Sequence, residues 1–120
     1  AEQRRARIRD LVLRQIGGLP DRQSALNPRI TGSFARDGYR VDKLIFESQP
    51  KLYVTANLYI PTNATPPFPA VLGVAGHSAN GKASATYQHA WISMAKRGFL
   101  VLAFDPPGQG ERLETFDPET

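Results

Sequence analysis

The spacing of apolar residues changes several times along the chain, and each change marks a new element. Between residues 3 and 17, Ile8, Leu11, Val12 and Ile16 recur at helical intervals while arginines take the other side, as in an amphipathic helix. Gly17, Gly18 and Pro20 end it. Residues 18–37 show no regular period and read as irregular. From Tyr39 to Ser48, and again from Leu52 to Ile60, the chain reads as a strand. In the second stretch Leu52, Val54, Ala56, Leu58 and Ile60 alternate with Tyr53, Thr55, Asn57 and Tyr59. That period of two predicts a strand with the first set buried. The short link Gln49-Pro50-Lys51 makes the pair an antiparallel hairpin, and the proline-rich run from Pro61 to Pro69 is a surface connection.

Two almost continuous apolar runs follow, Ala70–Ala75 (AVLGVA) and Phe99–Phe104 (FLVLAF). Such runs suit strands buried on both faces. Between them Ser84–Arg97 reads as a helix. Tyr87, Trp91, Met94 and Ala95 share one of its faces, and Gly98 stands where a terminating glycine belongs. Strand, helix and strand in this order make a right-handed parallel crossover. The expected fold is therefore α/β: a hairpin leading into a crossover, in a mixed sheet of about four strands with the hairpin on one edge. Strand 99–104 is expected at the free edge. Its apolar character calls for further strands to cover it, so the chain reads as part of a larger domain. Residues 1–20 form a helical extension and 21–120 a partial domain.

Composition narrows the classes. The 120 residues contain no cysteine, which excludes disulfides and thiolate chemistry. No apolar run approaches membrane length. The net charge is +4, and residues 1–14 hold five arginines against Glu2 and Asp10. No aromatic residues are interleaved there for base stacking, so the arginines read as a solvated helix face rather than a nucleic-acid site.

The chemistry concentrates in Gly76–Lys82 (GHSANGK), between a buried strand and a helix, where α/β folds place their ligands. Three motifs overlap there. A phosphate loop, G-x-x-x-x-G-K-[ST], fits up to Lys82, with Asp105 as a magnesium partner, but Ala83 lacks the required hydroxyl. A nucleophile elbow, G-x-S-x-G, would make Ser78 the nucleophile, but Asn80 replaces the last glycine. The third motif, an oxyanion loop, needs backbone N–H donors after an early strand. Gly76 permits the turn, the N–H of His77 is the expected donor, and Ser78 is the second candidate. The His77 side chain is expected to hold the loop by a hydrogen bond. His89 reads as a surface or packing residue.

The segments YRVDKLIFES, LYVTANLYIP, PAVLGVAGHSANGK and FLVLAFDPPGQGER resemble the N-terminal half of bacterial α/β-hydrolases of the acetyl xylan esterase-like and dienelactone hydrolase-like kind, over roughly residues 30–113. The resemblance implies that Gly76 and His77 belong to an oxyanion loop. It also implies that Asp105 and the stretch Gly108, Gln109, Gly110 and Glu111 shape the pocket wall. The family's serine, acid and histidine would then follow Thr120, since chain order in this fold is Ser, acid, His. Asp105 and Glu111 precede any such serine and read as loop caps and surface charge. The expected parent is a serine esterase acting on small-molecule or carbohydrate esters, acetyl esters among them. It needs no cofactor and no metal, no nucleic acid and no membrane, and its partner is the remainder of the same hydrolase domain. These 120 residues alone are expected to be inactive; the alternatives are a phosphate-loop nucleotide-binding protein using Gly76–Lys82 and a non-catalytic structural fragment. The resemblance and the missing start methionine point to a secreted or periplasmic setting without fixing it.

Overall fold

In the computed structural model of the chain, residues 2–19 and 24–113 are described. Helix α1 (Glu2–Gln15) is followed by strands β1 (Arg29–Arg36), β2 (Tyr39–Gln49), β3 (Leu52–Pro61) and β4 (Ala70–Val74). A 3-10 turn (Gly81–Ala83), helix α2 (Ala85–Lys96) and β5 (Leu100–Phe104) complete it. The strands make one sheet in the order β1-β2-β3-β5-β4. The predicted hairpin is present as β2 and β3, paired antiparallel from Tyr39↔Pro61 to Gln49↔Leu52. The predicted crossover is present as the parallel pair β4 and β5, from Ala70↔Leu100 to Val74↔Phe104.

Three expectations need correction. First, residues 18–37 are not wholly irregular: Arg29–Arg36 is a fifth strand, antiparallel to β2 with an irregularity between Ile30 and Gly32. It buries none of its side chains. Main-chain pairing holds it, and that leaves no apolar period to read. Second, the free edge belongs to β4. Strand β5 is interior, with β3 paired on its other side from Ala56↔Phe104 to Tyr59↔Val101. Third, β3 does not bury only its aliphatic set. Tyr59, from the opposite set, is 3% exposed, while Leu52 lies open and Leu58 and Ile60 are half-buried.

The last point follows from where α2 lies. Register puts Val41, Tyr59, Val101 and Val71 on one face, with Lys43, Asn57, Ala103 and Gly73 beside them. Helix α2 covers this face with Trp91 and Ala95. Trp91 packs beside Tyr59 and Tyr87, ring centroids 6.1 and 5.9 Å apart, within the favourable range for aromatic pairs. Glycine at 73 makes this approach possible: a Cβ there would lie 2.7 Å from the Trp91 indole nitrogen. Met94, expected on the same helix face, stays 37% exposed. The helix ends as its sequence predicts. Gly98 takes φ 92°, and its N–H and that of Phe99 donate to Ala95 and Met94, closing the last turn.

Helix α1 spans the predicted stretch but has no buried residue. Ile8, Leu11, Val12 and Ile16 are about half exposed. Pro20 and the proposed boundary between residues 20 and 21 lie outside the described residues, as does the stretch 114–120. Among the described residues no helix is long and apolar enough to cross a membrane.

Candidate functional site

The parallel strands β4 and β5 end side by side, and the two loops that leave them form one structure. Its centre is Asp105, the residue after β5, fully buried. Its carboxylate accepts the Lys82 N–H at 2.7 Å and the Thr55 hydroxyl at 2.7 Å. It also accepts the Glu111 N–H at 3.2 Å and pairs with the Lys82 ammonium. The Asp105 carbonyl accepts from the Arg112 guanidinium at 3.1 Å. One side chain thus joins β3, the 76–82 loop and the 105–112 loop.

Two glycines make room for it. Gly81 (φ 49°) and Gly110 (φ 59°) press against the carboxylate, and a Cβ at either would lie 2.2–2.3 Å from Asp105 Oδ1. Both conformation and space therefore require glycine there. Burial pushes the Asp105 carboxyl up, but the Lys82 ammonium and N–H, the Thr55 hydroxyl and the Glu111 N–H outweigh it. The group is held below its usual value. The expected role of Asp105 as a surface charge is thus corrected: it is a structural hub. Glu111 does lie at the surface, where it pairs with the outer side of the Lys82 ammonium.

This geometry also removes the phosphate-loop reading. Lys82 is 5% exposed, with its ammonium held by two carboxylates and its N–H given to Asp105. The Gly81 N–H closes a turn onto the Ser78 carbonyl. The chain does not build an elbow at Ser78 either. A nucleophile elbow is a sharp strand-to-helix turn, whereas here α2 begins only at Ala85, and Ser78 lacks a positive φ.

The oxyanion-loop candidates are arranged as follows. Gly76 and His77 are exposed and Ser78 is half-buried. Gly76 has no positive φ. It is glycine for clearance, since a Cβ would lie 2.5 Å from the Tyr87 hydroxyl. The Ser78 N–H donates to Gln109 Oε1 at 2.6 Å, and the Gly110 N–H donates to the Ala79 carbonyl at 3.1 Å. The His77 N–H meets no acceptor among the described residues, and neither does its side chain. His89 is exposed on α2. The Gln109–Ser78 link and the Asp105 hub escape sequence reading because each joins residues more than twenty positions apart. The paired glycines of GHSANGK and DPPGQGE were their only local signal.

Beside this junction, between α2 and the first three strands, lies an open cavity of about 650 Å³. Phe34, Arg36, Lys43, Asn57 and Ile92 line it, with Asn80 and Glu111 at the loops. The Arg36 guanidinium lies 4.9 Å from the Phe34 ring centroid. Among the described residues no group of three or more His, Asp or Glu side chains is placed to hold a metal ion.

A hairpin feeding a parallel crossover, with a glycine-containing loop at the ends of the parallel strands, defines a partial α/β-hydrolase fold. Over residues 3–117 the chain matches the family model described as "Abhydrolase family", and it belongs to that family. Among solved structures it is similar to a Bacteroides fragilis protein described as an acetyl xylan esterase, with 26% identity and a TM-score of 0.64. That match covers 77% of this chain and 28% of the other. A second similar structure is acetyl xylan esterase 1 from a Thermoanaerobacterium species, with 19% identity, a TM-score of 0.58, and 76% and 27% of the two chains covered. At that identity the likeness concerns the fold. The chain thus spans little more than a quarter of the length of these solved relatives. No curated protein matches it.

Proposed function

We propose that this chain supplies the oxyanion loop of a serine esterase whose nucleophile, acid and base come from the remainder of the same hydrolase domain. The observation that carries the reading is the N–H of exposed His77, without an acceptor among the described residues, just past the carboxyl end of β4. It sits in a loop fixed from below by Asp105. Acyl transfer develops negative charge on the former carbonyl oxygen. A preorganised N–H aimed at that oxygen stabilises it without reorganising during the reaction. The loop from Asp105 through Gly108, Gln109 and Gly110 forms the adjoining wall. Residues 1–20 act as an extension of the 21–120 unit.

The substrate class is carboxylic esters, with carbohydrate acetyl esters favoured by the similarity to a protein described as an acetyl xylan esterase. Assaying the full-length parent tests this. It should hydrolyse p-nitrophenyl acetate and release acetate from acetylated xylan, and a serine-reactive phosphonate should abolish both. Activity that survives the phosphonate would overturn the serine mechanism. The 120 residues alone should give no turnover, because a loop donor without nucleophile and base lacks the groups that carry most of the acceleration.

A further inference from the structure

In the 76–82 loop, backbone donors are divided between those already used and those still open. Lys82 gives its N–H to Asp105 and Gly81 gives its own to the Ser78 carbonyl. The Ser78 N–H is taken by a side chain from the other loop, Gln109. The His77 N–H, one residue earlier, is open. A donor held at 2.6 Å by an amide oxygen can serve an oxyanion only by giving that bond up, so His77 and Ser78 are not equivalent.

We propose that Gln109 is the positioning residue of the oxyanion loop: by accepting the Ser78 N–H it fixes the peptide between His77 and Ser78 and leaves His77 as the donor. This rests on the esterase reading above. Gln109 is itself held in place. Gly108 on one side and Gly110 on the other both have positive φ. The Gln109 N–H donates to Pro106 at 3.2 Å, and its carbonyl accepts from Arg112 at 3.0 Å. The Gly110–Ala79 bond lies alongside, so the two loops are joined at adjacent residues.

The choice of side chain follows from electrostatics. The position needs an acceptor for Ser78, and both an amide and a carboxylate qualify. A carboxylate would accept more strongly, yet it would set a full negative charge beside the place where the substrate's negative charge develops. Water beside the exposed His77 screens that repulsion only in part, so it still opposes the developing charge. Glutamine supplies the acceptor without the charge.

The test uses the full-length parent with two variants and two readouts: hydrogen exchange at the Ser78 amide, and steady-state kinetics on p-nitrophenyl acetate. In the parent the Ser78 amide should be protected. Gln109→Ala should lose that protection and lower kcat about 10- to 100-fold, the range for a slightly misplaced donor, with KM little changed. Gln109→Glu should keep the protection, because the acceptor remains, and still lower kcat. A purely structural Gln109 predicts the opposite for Gln109→Glu, near-parental kcat with the loop intact, and that result overturns the proposal. So does an unprotected Ser78 amide in the parent, or Gln109→Ala with unchanged kcat. An inactive parent whose Ser78 protection still depends on Gln109 overturns the esterase reading and with it the catalytic half of the proposal.

Discussion

The two faces of the sheet are built from the same five strands and have different fates. On the face under α2, Val41, Tyr59, Val101 and Ala103 are each at most 3% exposed, and Trp91 and Ala95 close over them. On the opposite face, register aligns Leu58, Leu102 and Leu72, with Ala56, Phe104 and Val74 beside them. Leu72 and Val74 there are each 62% exposed. The covered face carries small residues and aromatics shaped to one helix, such as Gly73 beneath Trp91. The open face is apolar across β3, β5 and β4, turns polar at Arg40 and Asp42 on β2, and carries no helix of the described chain. An apolar patch spanning three adjacent strands is what a sheet covered on both sides presents. The junction around Asp105 belongs to the covered face, so the candidate site is attached to the part of the molecule already packed.

This comparison can be broken by mutation, beginning with the helix. Trp91→Ala removes the ring that joins α2 to Tyr59 and β4, and should cost about 3–5 kcal/mol, read as a lower midpoint in urea unfolding. A loss under about 1 kcal/mol would mean that α2 does not close the core as described. Gly73→Ala tests the same contact from the other side. The added methyl must displace a packed indole, so about 1–3 kcal/mol of destabilisation is expected.

Acid should act on the covered face through Asp105. Its folded value lies below its unfolded one, so its contribution is complete above roughly pH 4. That contribution declines as pH falls further, through the folded value. Asp105→Asn should flatten this part of the stability profile, and an unaltered acid limb would count against the hub. The smallest effect should come from the open face. Leu72→Ser, at 62% exposure, should change the stability of these 120 residues by no more than about 0.5 kcal/mol. The same change in the full-length parent should cost clearly more if later residues cover that face. Equal small costs in both would show that they do not.

Legibility followed the range of the forces involved. The β2–β3 hairpin showed in Leu52–Ile60 because alternation is local, and the crossover showed in AVLGVA and FLVLAF because doubly buried strands lose their polar positions. Strand β1 did not show: Arg29–Arg36 is held by main-chain bonds to β2 and by the Ser33–Asp42 and Thr31–Lys43 bonds, none of which needs an apolar period. The edge was misassigned to 99–104 because apolar character says that a strand is covered without saying on which side. At the site, the oxyanion-loop candidates were readable from GHSANGK and its place after a strand. The burial of Asp105 was not, since an aspartate before Pro106 and Pro107 carries the local signature of a surface turn.

The type and order of α1, β2, β3, β4, α2 and β5 were legible in the sequence, while β1 and the 3-10 turn at Gly81–Ala83 were not. Hydrophobic period, turn residues and the Gly98 stop act over a few residues, and the chain carries them in plain view. Long-range pairing is what puts β5 inside the sheet and β4 at its edge. Packing across the sheet likewise sets α2 over the Tyr59 face, turns Lys82 inward to Asp105 and brings Gln109 to the Ser78 N–H. Each of these outcomes depends on which distant groups meet once main-chain pairing and burial are satisfied together. A buried charge such as Asp105 is tolerated only where its partners converge, and here they come from β3 and two loops up to fifty residues apart.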